Sequence, residues 1–176
     1  MSGAQPTHAS RRILRPAQPV FIFATLIVGF AINLLPIALV PGMPDWCALT
    51  LCFWCVHQPQ RVGMAVAFAL GLASDIAHGG VLGQHALAYV LLAFAATGLS
   101  RRILWFPHAQ QALHVLPMLF ATQLTMFLVG VASGRELPAL WWFLSSLTGA
   151  AIWSPVTYLL LTPQFRPEKK DVHRPI

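Results

Sequence analysis

Charge is what this sequence has least of: 11 Lys+Arg and 5 Asp+Glu among 176 residues, or 9%. A soluble domain usually carries about a quarter charged residues, so this chain cannot cover itself with a water-compatible surface. No stretch is left for a separate soluble catalytic domain. Also missing are a G-x-S-x-G elbow, a Walker loop, an H-E-x-x-H pair and a paired-carboxylate constellation. Asp75 with His78 is the one acid and base spacing that an enzyme could use, and no accompanying motif supports it. Cysteine is scarce as well. Cys47, Cys52 and Cys55 lie together, and the C-x-x-C of Cys52 and Cys55 with His57 has no second ligand cluster. These thiols read as small apolar filling of a helix. No metal, cofactor or nucleic-acid partner is expected.

What is present is apolar: 57% of the residues are hydrophobic. At about 20 residues per span, the length allows roughly five to seven membrane helices. Residues 20–40 carry no charge and follow Arg11, Arg12 and Arg15, which is the layout of a secretory signal. The run is too long for one, and Ala38-Leu39-Val40 lacks a small final residue, so an uncleaved first span is expected. Residues 112–131 and 140–161 are further spans. Another lies in the second half of 76–100, from about Val81.

Between residues 46 and 77 the apolar pattern is broken by Pro59-Gln60-Arg61, leaving two arms of about 15 residues that reach only about 22 Å. Each arm is a short span or half of a re-entrant hairpin. One continuous helix would bury Arg61 and a proline near mid-membrane at a cost of several kcal/mol. The positive-inside rule favours two helices, at 46–60 and 62–77. Arg11, Arg12, Arg15, Arg61, Arg101, Arg102, Arg166, Lys169, Lys170 and Arg174 then share one side, with Arg135 alone opposite. The expected fold is an all-α integral membrane protein. It is a six-helix bundle over 19–162 with basic cytoplasmic tails at 1–18 and 163–176, and Asp45, Asp75 and Glu136 face outward. The +6 charge then reflects orientation and contact with anionic lipid, at about 1 kcal/mol per basic residue.

Gly63, Ala67, Gly71 and Asp75 recur at four-residue spacing on one helical face, which lets another backbone approach closely. Beyond it come His78, Gly79-Gly80, Gly83 and His85. An ionisable group at membrane depth is a functional-site hypothesis by default. Two readings stay open for Asp75: capping or pairing with His78, or an outward-opening polar pocket. Trp46, Trp54, Trp105, Trp141 and Trp142 are expected as interfacial anchors, and His108 and His114 as interfacial residues. Pro36, Pro117 and Pro155 are expected as kinks, the last beside the deeper Trp153.

The central stretch resembles the MreD family of bacterial rod-shape-determining membrane proteins. The likeness runs through Pro44-Asp45-Trp46, Trp54, Pro59-Gln60-Arg61-Val62-Gly63, Gly71-Leu72-Ala73-Ser74-Asp75, Leu82-Gly83 and Ala86-Leu87, and returns at Gln110-Gln111-Ala112-Leu113. Trp153-Ser154-Pro155 departs from it, since relatives often have Trp and Pro adjacent, and His85 has no counterpart to carry over. The resemblance implies a non-enzymatic inner-membrane subunit of the cell-elongation complex. Its partners would be an MreC-like bitopic protein, MreB, RodA and a class B penicillin-binding protein. It also implies a fold similar to the S components of vitamin-uptake transporters, and with it the rival of a small-molecule binding or transport subunit. In the scaffold reading Gly63, Ala67 and Gly71 form a partner-packing face, Asp75 and Gly83 set the outer turn, and Pro59 and Arg61 set the inner one. In the rival reading Asp75, His78 and His85 contact a ligand.

Overall fold

A computed structural model describes residues 18–36, 40, 42–135 and 138–164. The basic tails lie outside these residues, as do Glu136 and most of the cleavage-like triplet. All regular structure among the described residues is helical: α1 (Pro19–Asn33), α2 (Trp46–His57), α3 (Met64–His78), α4 (Gln84–Ile103), α5 (His108–Ala132) and α6 (Leu144–Leu161). A 3-10 turn at Leu140–Phe143 leads into α6, and another at Thr162–Gln164 follows it.

The stretches Gln84–Ile103, His108–Ala132 and Trp141–Gln164 are long and apolar enough to cross a membrane, whereas α1, α2 and α3 are shorter apolar helices. Large apolar side chains that a soluble protein would bury face outward on every helix except α2. Ile27, Phe68, Phe94, Leu113 and Leu159 are all at least half exposed, a surface suited to lipid. The chain is an all-α integral membrane protein.

The shortest helix forms the centre. Cys47 to Val56 of α2 are buried without a break, because α2 is flanked by α1, α4, α5 and α6. A helix apolar all round belongs in such an interior. The three thiols are free and buried there, as filling. Trp54 is a correction to the anchor expectation: it is fully buried, with its indole N–H donating to Thr25 Oγ1 of α1 at 2.8 Å. Trp153 is likewise buried and donates to Gln111 Oε1 at 3.2 Å. Trp105, past the end of α4, and Trp141, before α6, are exposed.

Helix ends differ from expectation for identifiable reasons. The first span does not run to Val40: α1 ends at Asn33, whose side chain bonds to the start of α2, three residues before Pro36. Pro36 therefore lies beyond α1 and does not kink it, whereas Pro117 and Pro155 sit inside α5 and α6. The two arms are Trp46–His57 and Met64–His78. They run antiparallel. Asp45 and Asp75 both bond to the first two turns of α4 and so share one end, leaving Pro59 and Arg61, both exposed, at the other.

Candidate functional site

The site is built around two helix N-termini buried at the same end of the bundle. The first four N–H groups of any helix lack partners within it. At α4 they are met from α3. That helix stops at Gly79, which takes φ +60°, and Gly83 takes φ +97°. With these left-handed residues the loop turns back so that the first turn of α4 lies on the last turns of α3. Gly71 makes the contact possible: a Cβ there would lie 2.4 Å from Ala86 Cα and 2.6 Å from Ala86 N.

Asp75, one turn on, is buried and accepts four hydrogen bonds. Oδ1 receives His85 N–H and His85 Nδ1, each at 2.8 Å. Oδ2 receives Gly83 N–H at 2.8 Å and Ala86 N–H at 3.3 Å. The carboxylate is thus a cap delivered from a neighbouring helix, favoured also by the positive end of the α4 dipole. Its imidazole partner is His85. His78 does not neutralise it; His78 Nδ1 meets Ser74 O at 2.8 Å, and its ring stacks on that of His85 at 5.4 Å.

The small-residue face is therefore occupied within the chain. Ala67 and Gly71 are buried, with Gly71 against α4, while Gly63 is the N-cap of α3, where a Cβ would meet Pro59 O at 4.0 Å. A partner's span cannot use Gly71, because the first turn of α4 is already there.

Asp45 plays the equivalent part for α2, in a cluster not anticipated as a site. Its Oδ1 accepts from Ala48 N–H at 2.9 Å and from Asn33 Nδ2 at 2.6 Å. Oδ2 accepts from the Tyr89 hydroxyl of α4 at 2.9 Å. Asn33 Oδ1 in turn accepts Trp46 N–H at 3.0 Å. The signal was available: an Asp directly before an apolar helical run is an N-cap. Asn33 and Tyr89 gave none. Arg135 also lies at this end, where its guanidinium donates to Gln84 Oε1 at 3.2 Å.

Beside these caps is a cavity of about 380 Å³ whose lining includes Asn33, Asp45, His78, His85, Gln123 and Trp142. Asp75 and Gly83 do not line it. Gln123 was not anticipated; its Nε2 donates to Trp142 O at 2.9 Å and to Ser145 Oγ, and its Oε1 is buried without a partner. Among the described residues no three His, Cys, Asp or Glu side chains are grouped to hold a metal ion. At the opposite end His108 is half-buried edge-on to Tyr158, and His114 stacks on Phe106.

Fold and site together define a helical membrane bundle in which two carboxylates, the buried Asp75 and the half-buried Asp45, hold helix ends. A family model described as rod shape-determining protein MreD matches residues 10–165. The chain belongs to the MreD family. It is 31% identical over 114 residues to the rod shape-determining protein MreD of Haemophilus influenzae, covering 61% of this chain and 68% of that relative. No solved structure matches significantly.

Proposed function

We propose that this rod-shape-determining protein is a non-enzymatic scaffold of the bacterial inner membrane with both termini in the cytoplasm. It holds the span of an MreC-like bitopic protein, and through it MreB, RodA and a class B penicillin-binding protein. The family match over most of the chain carries the reading. A lateral groove of about 420 Å³ between α1 and α3 supports it. Phe23, Leu26, Ile27, Val66, Ala69 and Leu70 line the groove, which is apolar enough for a membrane helix to replace lipid there. It takes the place of the Gly71 face, which α4 covers.

The scaffold is tested by filling that groove. Ala69 is exposed, so Ala69→Phe is expected to fold normally and to lose co-purification with the bitopic partner. Full recovery of the partner excludes the groove. Depletion in rod-shaped cells is expected to cause rounding. A growth defect cured by a nutrient would point to an uptake subunit. That rival has lost its central contact, since the Asp75 carboxylate is buried under four donors.

A further inference from the structure

The hydrogen bonds already made around the cavity beside Asp45 determine what it can still offer. His85 Nδ1 lies 2.8 Å from an Asp75 oxygen that accepts, so Nδ1 donates there and Nε2 is the ring nitrogen left for a ligand. His78 Nδ1 faces the Ser74 carbonyl at 2.8 Å, so it donates there and leaves a second Nε2 for a ligand. Trp142 O can only accept, so the Gln123 amide must present Nε2 to it, and Oε1 remains an acceptor. That oxygen is buried and unpartnered in a residue only 6% exposed. Asp45 adds a carboxylate. Both Gln123 N–H groups are engaged and one of the two on Asn33 is, so the donors left on the wall are the other Asn33 N–H, the Ser145 hydroxyl and the indoles of Trp141 and Trp142. No Arg or Lys is among the described lining residues.

A cavity rich in acceptors, with one carboxylate, two indoles and no lining cation, is complementary to a cation with several N–H donors. A metal ion fits less well, because no three ligating side chains are grouped there among the described residues. About 380 Å³ lies within the usual range of about 300–1,000 Å³ for small-molecule sites. We propose that this cavity binds a small organic molecule through a primary ammonium group. The ammonium sits at the Asp45 carboxylate, whose Oδ2 accepts from the Tyr89 hydroxyl and keeps a further lone pair, on the wall that also carries His78 and His85, with its carbon chain against the tryptophans.

The test uses the purified full chain in lipid nanodiscs, with tryptophan fluorescence and calorimetry as readouts. The probe is 1,5-diaminopentane; glutarate and 1,5-pentanediol are same-length controls without ammonium. The diamine is expected to bind saturably with a Kd below about 1 mM, and the controls are not. His78→Phe keeps the stacked ring and removes one acceptor from an exposed position, so it is expected to weaken binding about tenfold at unchanged melting temperature. Asp45→Asn, which keeps an oxygen for Ala48 N–H, is expected to weaken it at least as much. Absence of saturation with the diamine, an equal response to glutarate, or wild-type titration of both variants overturns the proposal. Because the isolated chain is measured, the result is independent of whether a bitopic partner docks in the lateral groove.

Discussion

Replacing Asp75 with Ala isolates the capping role, because the methyl group leaves the Gly71 and Ala86 contact intact and removes only acceptors. Four donors lose their partner: the N–H groups of Gly83, His85 and Ala86 and the imidazole Nδ1 of His85. They are not equally affected. Gly83 is half-exposed and the His85 side chain is 21% exposed, so water can reach them. Ala86 is 1% exposed and cannot regain a partner without moving the helix. An unsatisfied buried N–H costs about 1–3 kcal/mol and loss of an ordinary N-cap about 0.5–2, so roughly 2–5 kcal/mol of stability is expected to go. Asp75→Asn is expected to recover less than half of it. One amide oxygen can still serve His85, but the NH₂ group then faces the N–H groups of Gly83 and Ala86. The assay is unfolding of the purified protein by SDS titration in mixed micelles. A ligand-contacting carboxylate predicts near wild-type stability for both variants. A loss below about 1 kcal/mol for Asp75→Ala would therefore refute the capping argument.

Gly71→Ala should also destabilise. Its Cβ would meet backbone atoms of α4 at 2.4–2.7 Å, and overpacking of that kind costs about 1–3 kcal/mol; a neutral result in the same titration would mean that α3 and α4 are less closely packed. Tyr89→Phe removes the hydroxyl bond to Asp45 and should cost about 1–2 kcal/mol, because the carboxylate keeps Asn33 and Ala48; no change in SDS unfolding would show that α4 does not depend on that bond. Arg101→Cys and Trp141→Cys place thiols on exposed positions at opposite ends, while the native cysteines are buried. An impermeant maleimide applied to intact cells is expected to label position 141 and spare 101; the reverse pattern would invert the threading.

The number of helices was legible because hydropathy and cation placement are properties of the chain alone. Runs without charge marked four spans, and the proline and arginine at 59–61 divided the fifth and sixth. The end of α1 was not legible. Residues 20–40 read as one apolar run with a kink at Pro36, whereas the helix ends three residues before that proline, where the Asn33 side chain bonds to Asp45. Spacing likewise revealed that Gly71 faces a neighbour without saying which, since the choice of α4 depends on the turn through Gly79 and Gly83. The same turn makes His85 the partner of Asp75 in place of the nearer His78. Gln123 was not legible as a site residue, because its open acceptor depends on where Trp142 and Ser145 fall.

The two carboxylates meet the same need at helices of different length, 12 residues in α2 and 20 in α4. A helix of 12 residues rises about 18 Å and cannot carry both of its ends to the membrane surface. The N-terminus of α2 therefore opens inside the bundle, where unpaired N–H groups are expensive, and a cap there must come from protein. Asp45 supplies it from the residue before the helix, and Asp75 supplies the equivalent for α4 from across a helix pair. Asp45 and Asp75 follow from helix N-termini whose N–H groups need acceptors supplied by protein. Polar capacity left over after those ends are satisfied, as at Asp45, His78 and His85, is consequently a better marker of binding than an acid as such.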